Sequence, residues 1–126
     1  MIELSVSRLN KRFGGNHVLK DVSFDINGAE MIGLIGPNGA GKTTLTNVLD
    51  GAVKPNSGTV YLNGTRIDQL PSFEVAKAGL GRTFQVTRSF RRMTVLENLY
   101  VPALAQGRSH KGKEVREEAL EVLDFL

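Results

Sequence analysis

Short stretches of alternating and continuous apolar residues organise the first half of this chain. Residues 2 to 8 and 18 to 26 read as strands, and in the second Val22, Phe24 and Ile26 alternate with Ser23 and Asp25, as on a half-buried strand. Asn27-Gly28 marks a turn. Ala29 to Ile35 follows, nearly all apolar in its second half, and predicts a strand buried on both faces. Leu45, Val48 and Leu49 then recur at helical spacing over 43 to 49, and Gly51 supplies a stop. Pro55-Asn56-Ser57-Gly58 is a turn, Thr59 to Leu62 a strand, and Asn63-Gly64 another tight turn.

The second half is more helical. Residues 72 to 78 predict a short helix ended by Gly79, and Leu80 to Gln85 a strand running into a loop. Val95 to Leu104 predicts a helix with Thr94 as N-cap and Glu97 at capping-box spacing. Residues 107 to 112 form a polar, basic connection. Lys113 to Leu126 predicts an amphipathic helix: Val115, Ala119, Val122 and Phe125 share a face flanked by Leu123 and Leu126, while Glu114, Glu117, Glu118 and Glu121 meet water.

Composition narrows the classes. A length of 126 residues fits one domain. No apolar run is long enough to span a bilayer, and Met1-Ile2-Glu3-Leu4-Ser5 does not resemble a signal peptide, so a cytoplasmic protein is expected. The absence of cysteine excludes disulfides and thiolate metal sites. The net charge of +3 is too small an excess to imply a nucleic-acid partner, and none is expected. His17 and His110 have no ligand-like neighbours and read as surface residues.

One motif carries chemistry. Gly36-Pro37-Asn38-Gly39-Ala40-Gly41-Lys42-Thr43 matches G-x-x-x-x-G-K-[ST], between an apolar run and a helix. Glycines let successive backbone N–H groups curl around an anion where bulky side chains would obstruct them. The helix that follows points its positive end at the same anion. In such a loop Lys42 reaches the β and γ phosphates, the Thr43 hydroxyl ligates Mg²⁺, and Thr44 adds a bond to the α phosphate. The loop alone leaves ATPases, GTPases and small-molecule kinases open.

The flanks carry a resemblance. Gly36 to Leu45, the preceding Val18-Leu19-Lys20-Asp21-Val22-Ser23-Phe24, the stretch Asp50-Gly51 through Pro55-Asn56-Ser57-Gly58-Thr59-Val60, and Arg82-Thr83-Phe84-Gln85 with Met93 to Leu99 resemble the ATP-binding subunits of ABC transporters. Arg12-Phe13-Gly14-Gly15, Arg82-Thr83-Phe84-Gln85 and Phe90 to Leu99 are most similar to the branched-chain amino-acid importer type. The lipopolysaccharide-export type is the close alternative, and a soluble ABC ATPase acting on nucleic acid or ribosomes the more distant one.

The resemblance implies an α/β fold of the P-loop NTPase kind, with an antiparallel β-subdomain and a truncated mixed sheet with helices. It implies ATP and Mg²⁺ as ligands and ATP hydrolysis coupled to transport. It gives Phe13 the place of an aromatic that stacks on adenine, against the alternative of a ring closing a hairpin core, and sets Val18 beside the base. Gln85 would join Thr43 near the metal and Lys42 in catalysis. Val86 to Leu99 would face the transmembrane permease, although Phe90 with Arg88, Arg91 and Arg92 also reads as a solvated basic turn. A second ATP-binding subunit completes the expected assembly, on the inner face of the cell membrane. The family's Leu-Ser-Gly-Gly-Gln signature and its apolar strand ending in Asp-Glu are not found, so residues 1–126 read as the N-terminal part of a nucleotide-binding domain.

Overall fold

The computed structural model describes residues 3–84, 89–105 and 113–125. It divides into two units, Met1–Gly81 and Arg82–Leu126.

In the first unit, β1 (Glu3–Phe13) and β2 (Asn16–Asn27) form an antiparallel hairpin across Gly14-Gly15. Strand β3 (Ser57–Leu62) pairs antiparallel with the other edge of β1, and the two-residue β4 (Thr65–Arg66) with β3, giving the order β2-β1-β3-β4. The alternation read in the sequence is present: Val22, Phe24 and Ile26 are half-buried while Asp21, Ser23 and Asp25 are exposed. Register shifts between Val6 and Leu9 let both of these apolar residues face inward despite their odd spacing. Helix α1 (Lys42–Leu49) packs on β2 and sets Leu45 and Val48 into the core with Leu9, Val60 and Ile67. The short helix α2 (Ser72–Lys77) adds Val75.

Two predicted strands do not form. Residues 30–37 carry no regular structure; Met31 is 102% exposed and Ile35 94%. The apolar run encodes burial, but a strand exists only when a neighbour takes its backbone hydrogen bonds. The described sheet is wholly antiparallel and offers this segment no adjacent strand, so the mixed part of the expected sheet is not built from the described residues. Residues 80–84 are likewise irregular. Gly79, at φ +109°, ends α2, and the Leu80 N–H bonds back to the Val75 carbonyl at 3.3 Å, which turns the chain instead of extending it. Gln85 at the end of that prediction lies outside the described residues.

The second unit contains α3 (Val95–Ala105) and α4 (Lys113–Phe125), which pack together. The predicted capping box is formed: the Thr94 N–H donates to Glu97 Oε2 at 2.7 Å, and the Glu97 N–H to Thr94 Oγ1 at 3.2 Å. On α4, Val115 and Ala119 are buried against α3, while Val122 and Phe125 of the same face are exposed. Among the described residues no helix is long and apolar enough to cross a membrane.

Candidate functional site

Residues 36–43 bridge the unpaired apolar segment and α1. Ala40 N–H bonds the Pro37 carbonyl at 3.2 Å, closing a turn, and Leu45 N–H bonds the Gly41 carbonyl at 2.8 Å as the helix begins. Gly41 is the N-cap residue, at φ 93°, and contributes no side-chain cap. The first N–H groups of any α-helix lack intrahelical acceptors. Here neither a cap side chain nor an acidic residue in the first turn serves them, an arrangement that suits an external anion.

Gly39 and Gly41 both lie in the left-handed region, where an L side chain is strained. At Gly41 the requirement is doubled. A Cβ there would lie 3.2 Å from the Val18 carbonyl oxygen and 3.2 Å from Leu19 Cδ2. The loop therefore rests directly on β2, with Val18 as a wall of the loop.

The Lys42 ammonium folds back over the loop, donating to the Gly36 carbonyl at 2.5 Å and the Pro37 carbonyl at 2.8 Å. The charge thus sits over the loop, held by the carbonyls of the loop's own first two residues. Thr43 is exposed and Thr44 half-buried at the helix start. Among the described residues no group of three or more His, Asp or Glu could hold a metal ion. A cation here would depend on phosphate oxygens together with a hydroxyl such as that of Thr43.

Phe13, the last residue of β1, is 50% exposed, which rules out a ring closing the hairpin core. Gln85, assigned to metal and catalysis, and Val86 to Arg88 of the expected partner-facing stretch lie outside the described residues. The rest of that stretch has a defined shape. Asn98 Oδ1 accepts the Phe90 N–H at 2.8 Å, and Asn98 Nδ2 donates to the Thr94 carbonyl at 2.9 Å and the Phe90 carbonyl at 3.2 Å. This amide clamps the turn that exposes Phe90, Arg91 and Arg92.

Sequence reasoning missed the clamp made by Asn98 and the place of the Lys11 ammonium, 5.0 Å from the centroid of the Phe13 ring. An amide near the start of an otherwise apolar helix was the available signal for Asn98. For Lys11 the signal was its place two residues before Phe13 on one strand, which puts both side chains on the same face.

The family model described as ABC transporter matches residues 19–126. The high-affinity branched-chain amino acid transport ATP-binding protein LivG of Escherichia coli (strain K12) is 48% identical over 98 residues, covering 78% of this chain and 38% of that protein. The lipoprotein-releasing system ATP-binding protein LolD of Bacteroides thetaiotaomicron is 34% identical over 126 residues, covering 98% of this chain and 57% of that protein. A solved nucleotide-free ATP-binding cassette from an ABC transporter superposes with a TM-score of 0.81 at 34% identity, over 99% of this chain and 54% of its own. A dimeric cassette in a post-hydrolysis state bound to ADP and Pi gives 0.79 at 29% identity, over 96% of this chain and 56% of its own. The chain thus spans 38% of LivG and 57% of LolD.

Proposed function

The chain belongs to the ABC transporter family, and from that membership we propose that it is the nucleotide-holding, N-terminal part of an energy-coupling ATPase subunit of a bacterial branched-chain amino-acid transporter. The observation that carries the nucleotide role is the uncapped start of α1, with Lys42 folded over a loop whose Gly39 and Gly41 adopt the left-handed backbone. The 48% identity to LivG, against 34% to the lipoprotein-releasing LolD, supports the branched-chain amino-acid assignment.

On this reading the loop from Gly36 to Gly41 wraps the phosphates, with the main-chain N–H groups of Gly39, Gly41 and the first turn of α1 as donors, and the positive end of α1 faces their charge. Lys42 leaves the Gly36 and Pro37 carbonyls for the β and γ phosphate oxygens. Thr43 offers its hydroxyl to Mg²⁺ and Thr44 bonds the α phosphate. Phe13 stacks on the adenine, and Val18 lies along its edge. The exposed hydroxyl at position 43 fits a cation carried in by the nucleotide, which would neutralise charge on the β and γ oxygens. Gln85 completes the set as metal neighbour and catalytic residue.

Val86 to Leu99, with the clamped turn that presents Arg91 and Arg92, is the surface for the transmembrane permease; an exposed aromatic beside arginines has the composition of an interface hot spot. A second ATP-binding subunit pairs with this one at the cytoplasmic face of the membrane. Hydrolysis needs positioning and charge stabilisation from several parts together, and the carboxylate and signature groups are not found in residues 1–126. The 126-residue chain therefore binds Mg-ATP weakly and does not turn it over.

Calorimetric titration of the purified chain with Mg-ATP tests the first half of this proposal. Removing a charge-assisted contact costs about 1.5–3 kcal/mol, so Lys42→Ala weakens binding roughly tenfold or more. Equal affinity of the two proteins removes the nucleotide role. Steady ATP hydrolysis that disappears in Lys42→Ala contradicts the second half.

A further inference from the structure

Phe13 does not stand alone at the end of β1. The Lys11 ammonium lies over its ring, 5.0 Å from the centroid. The same ammonium donates to the Lys54 carbonyl at 2.7 Å, across 43 residues of sequence. That acceptor is itself held. The Lys54 ammonium donates to the Leu70 carbonyl. Val53 N–H bonds the Asn47 carbonyl at 2.9 Å, and Asn56 N–H bonds the Asn10 carbonyl at 2.9 Å. Asn56 Oδ1 accepts the Arg12 N–H at 2.7 Å. The turn after α1 is thus tied to β1 on either side of Lys11, and Lys11 is half-buried between them. An exposed lysine would normally sweep through many rotamers; this one is fixed by its acceptor.

We propose that Lys11 is a positioning residue for the nucleotide base: it braces one face of Phe13 and leaves the opposite face as the platform for a purine. This rests on the reading that Phe13 stacks on the base. Two effects follow from the geometry. The ring is held in one orientation before the base arrives, so less side-chain freedom is lost on binding. The ammonium also draws π-electron density toward its own face, which favours stacking of an electron-rich heteroaromatic on the other. Both act on the base and neither on the phosphates. A lysine that instead competed with the base for the ring would have to leave that place; the bond to Lys54 holds it there and argues for the brace.

The test compares Mg-ATP with Mg-tripolyphosphate, which has the anion and no base, by calorimetry on the whole chain and on Phe13→Ala, Lys11→Met and Lys11→Arg. Met keeps most of the length of the side chain but neither charge nor donor; Arg keeps both. Lys11→Met is expected to weaken ATP about two- to fivefold, the range for an exposed cation–ring contact, with tripolyphosphate unchanged. Lys11→Arg retains most of the ATP affinity. A Phe13→Ala effect that is equal for the two ligands overturns the stacking reading, and the brace with it. A Phe13→Ala effect on ATP alone, with Lys11→Met unchanged or tighter for ATP, overturns the brace and leaves the stacking in place. Equal weakening of both ligands by Lys11→Met also overturns it, because a purely structural lysine would act on the loop as a whole.

Discussion

Asp68 is 1% exposed, and its carboxylate is fully engaged. It accepts the Val60 N–H at 3.0 Å, Arg66 Nε at 2.9 Å and Nη2 at 3.1 Å, and Gln69 Nε2 at 3.0 Å. Burial pushes its pKa up, but the Arg66 bond, the Val60 and Gln69 bonds and the Arg66 charge together outweigh that, and the carboxyl sits below its usual value. A carboxyl whose folded pKa is lowered stabilises the fold above its unfolded pKa, and that contribution disappears as pH falls through the lowered value. Acid titration of thermal stability should therefore show a component lost below the ordinary carboxylate range that is missing in Asp68→Asn. Asp68→Ala strands the N–H of Val60, which is 0% exposed, and should cost about 2 kcal/mol in denaturant unfolding, more than Asp68→Asn. Nothing in Arg66-Ile67-Asp68 marks this carboxylate in the sequence, because what distinguishes it is burial beside a strand eight residues away. The loop around Lys42 was legible for the opposite reason: it is a contiguous motif, and the bonds of Lys42 to the Gly36 and Pro37 carbonyls are local.

Helix α3 shows the same division at the level of an element. Its start was readable because a capping box links residues three apart, and the box is present in full, including a Thr94 hydroxyl bond to Glu97 Oε2 at 2.9 Å. The Asn98 clamp was not readable, since its acceptors include the Phe90 carbonyl, eight residues back in a turn with no regular pattern. Thr94→Ala should lower protection of the first-turn amides of α3 by about 1 kcal/mol in native-state hydrogen exchange, the usual worth of an N-cap. The bond from the Thr94 N–H, then that from its hydroxyl, holds the Glu97 carboxyl below its usual range. The sign is that of Asp68: the contribution is present above the unfolded carboxylate pKa and is lost as pH falls through the lowered value. First-turn protection in α3 should thus fall on acidification in the native chain. It should fall less in Thr94→Ala, where the box is already broken.

Over the whole molecule, the family and its antiparallel subdomain were legible, and the place where the reading failed has a physical consequence. Alternation identified β2 correctly because one face, with Val22, Phe24 and Ile26, packs against the core while the other meets water. The run from Met31 to Ile35 gave an equally clear signal of burial, yet a periodicity reports what a segment needs and not whether a partner is at hand. With Met31, Ile32, Leu34 and Ile35 all more than half exposed, the first unit presents a contiguous apolar segment whose backbone groups are not paired in the sheet. Such a segment is a template for strand pairing between chains. The net charge of +3 opposes this only weakly, and salt screens it. The chain should therefore associate with increasing concentration in sedimentation velocity, and more strongly at high salt, since screening removes repulsion while apolar burial persists. Ile32→Lys combined with Ile35→Lys should return it to a monomer. Both side chains are exposed, so the fold of the antiparallel unit should survive, and amide protection of β1 and β2 provides the check. A native chain that stays monomeric at all concentrations and salts would mean that residues 31–35 find cover within the molecule. Their failure to form a strand would then need an explanation other than the lack of a neighbour.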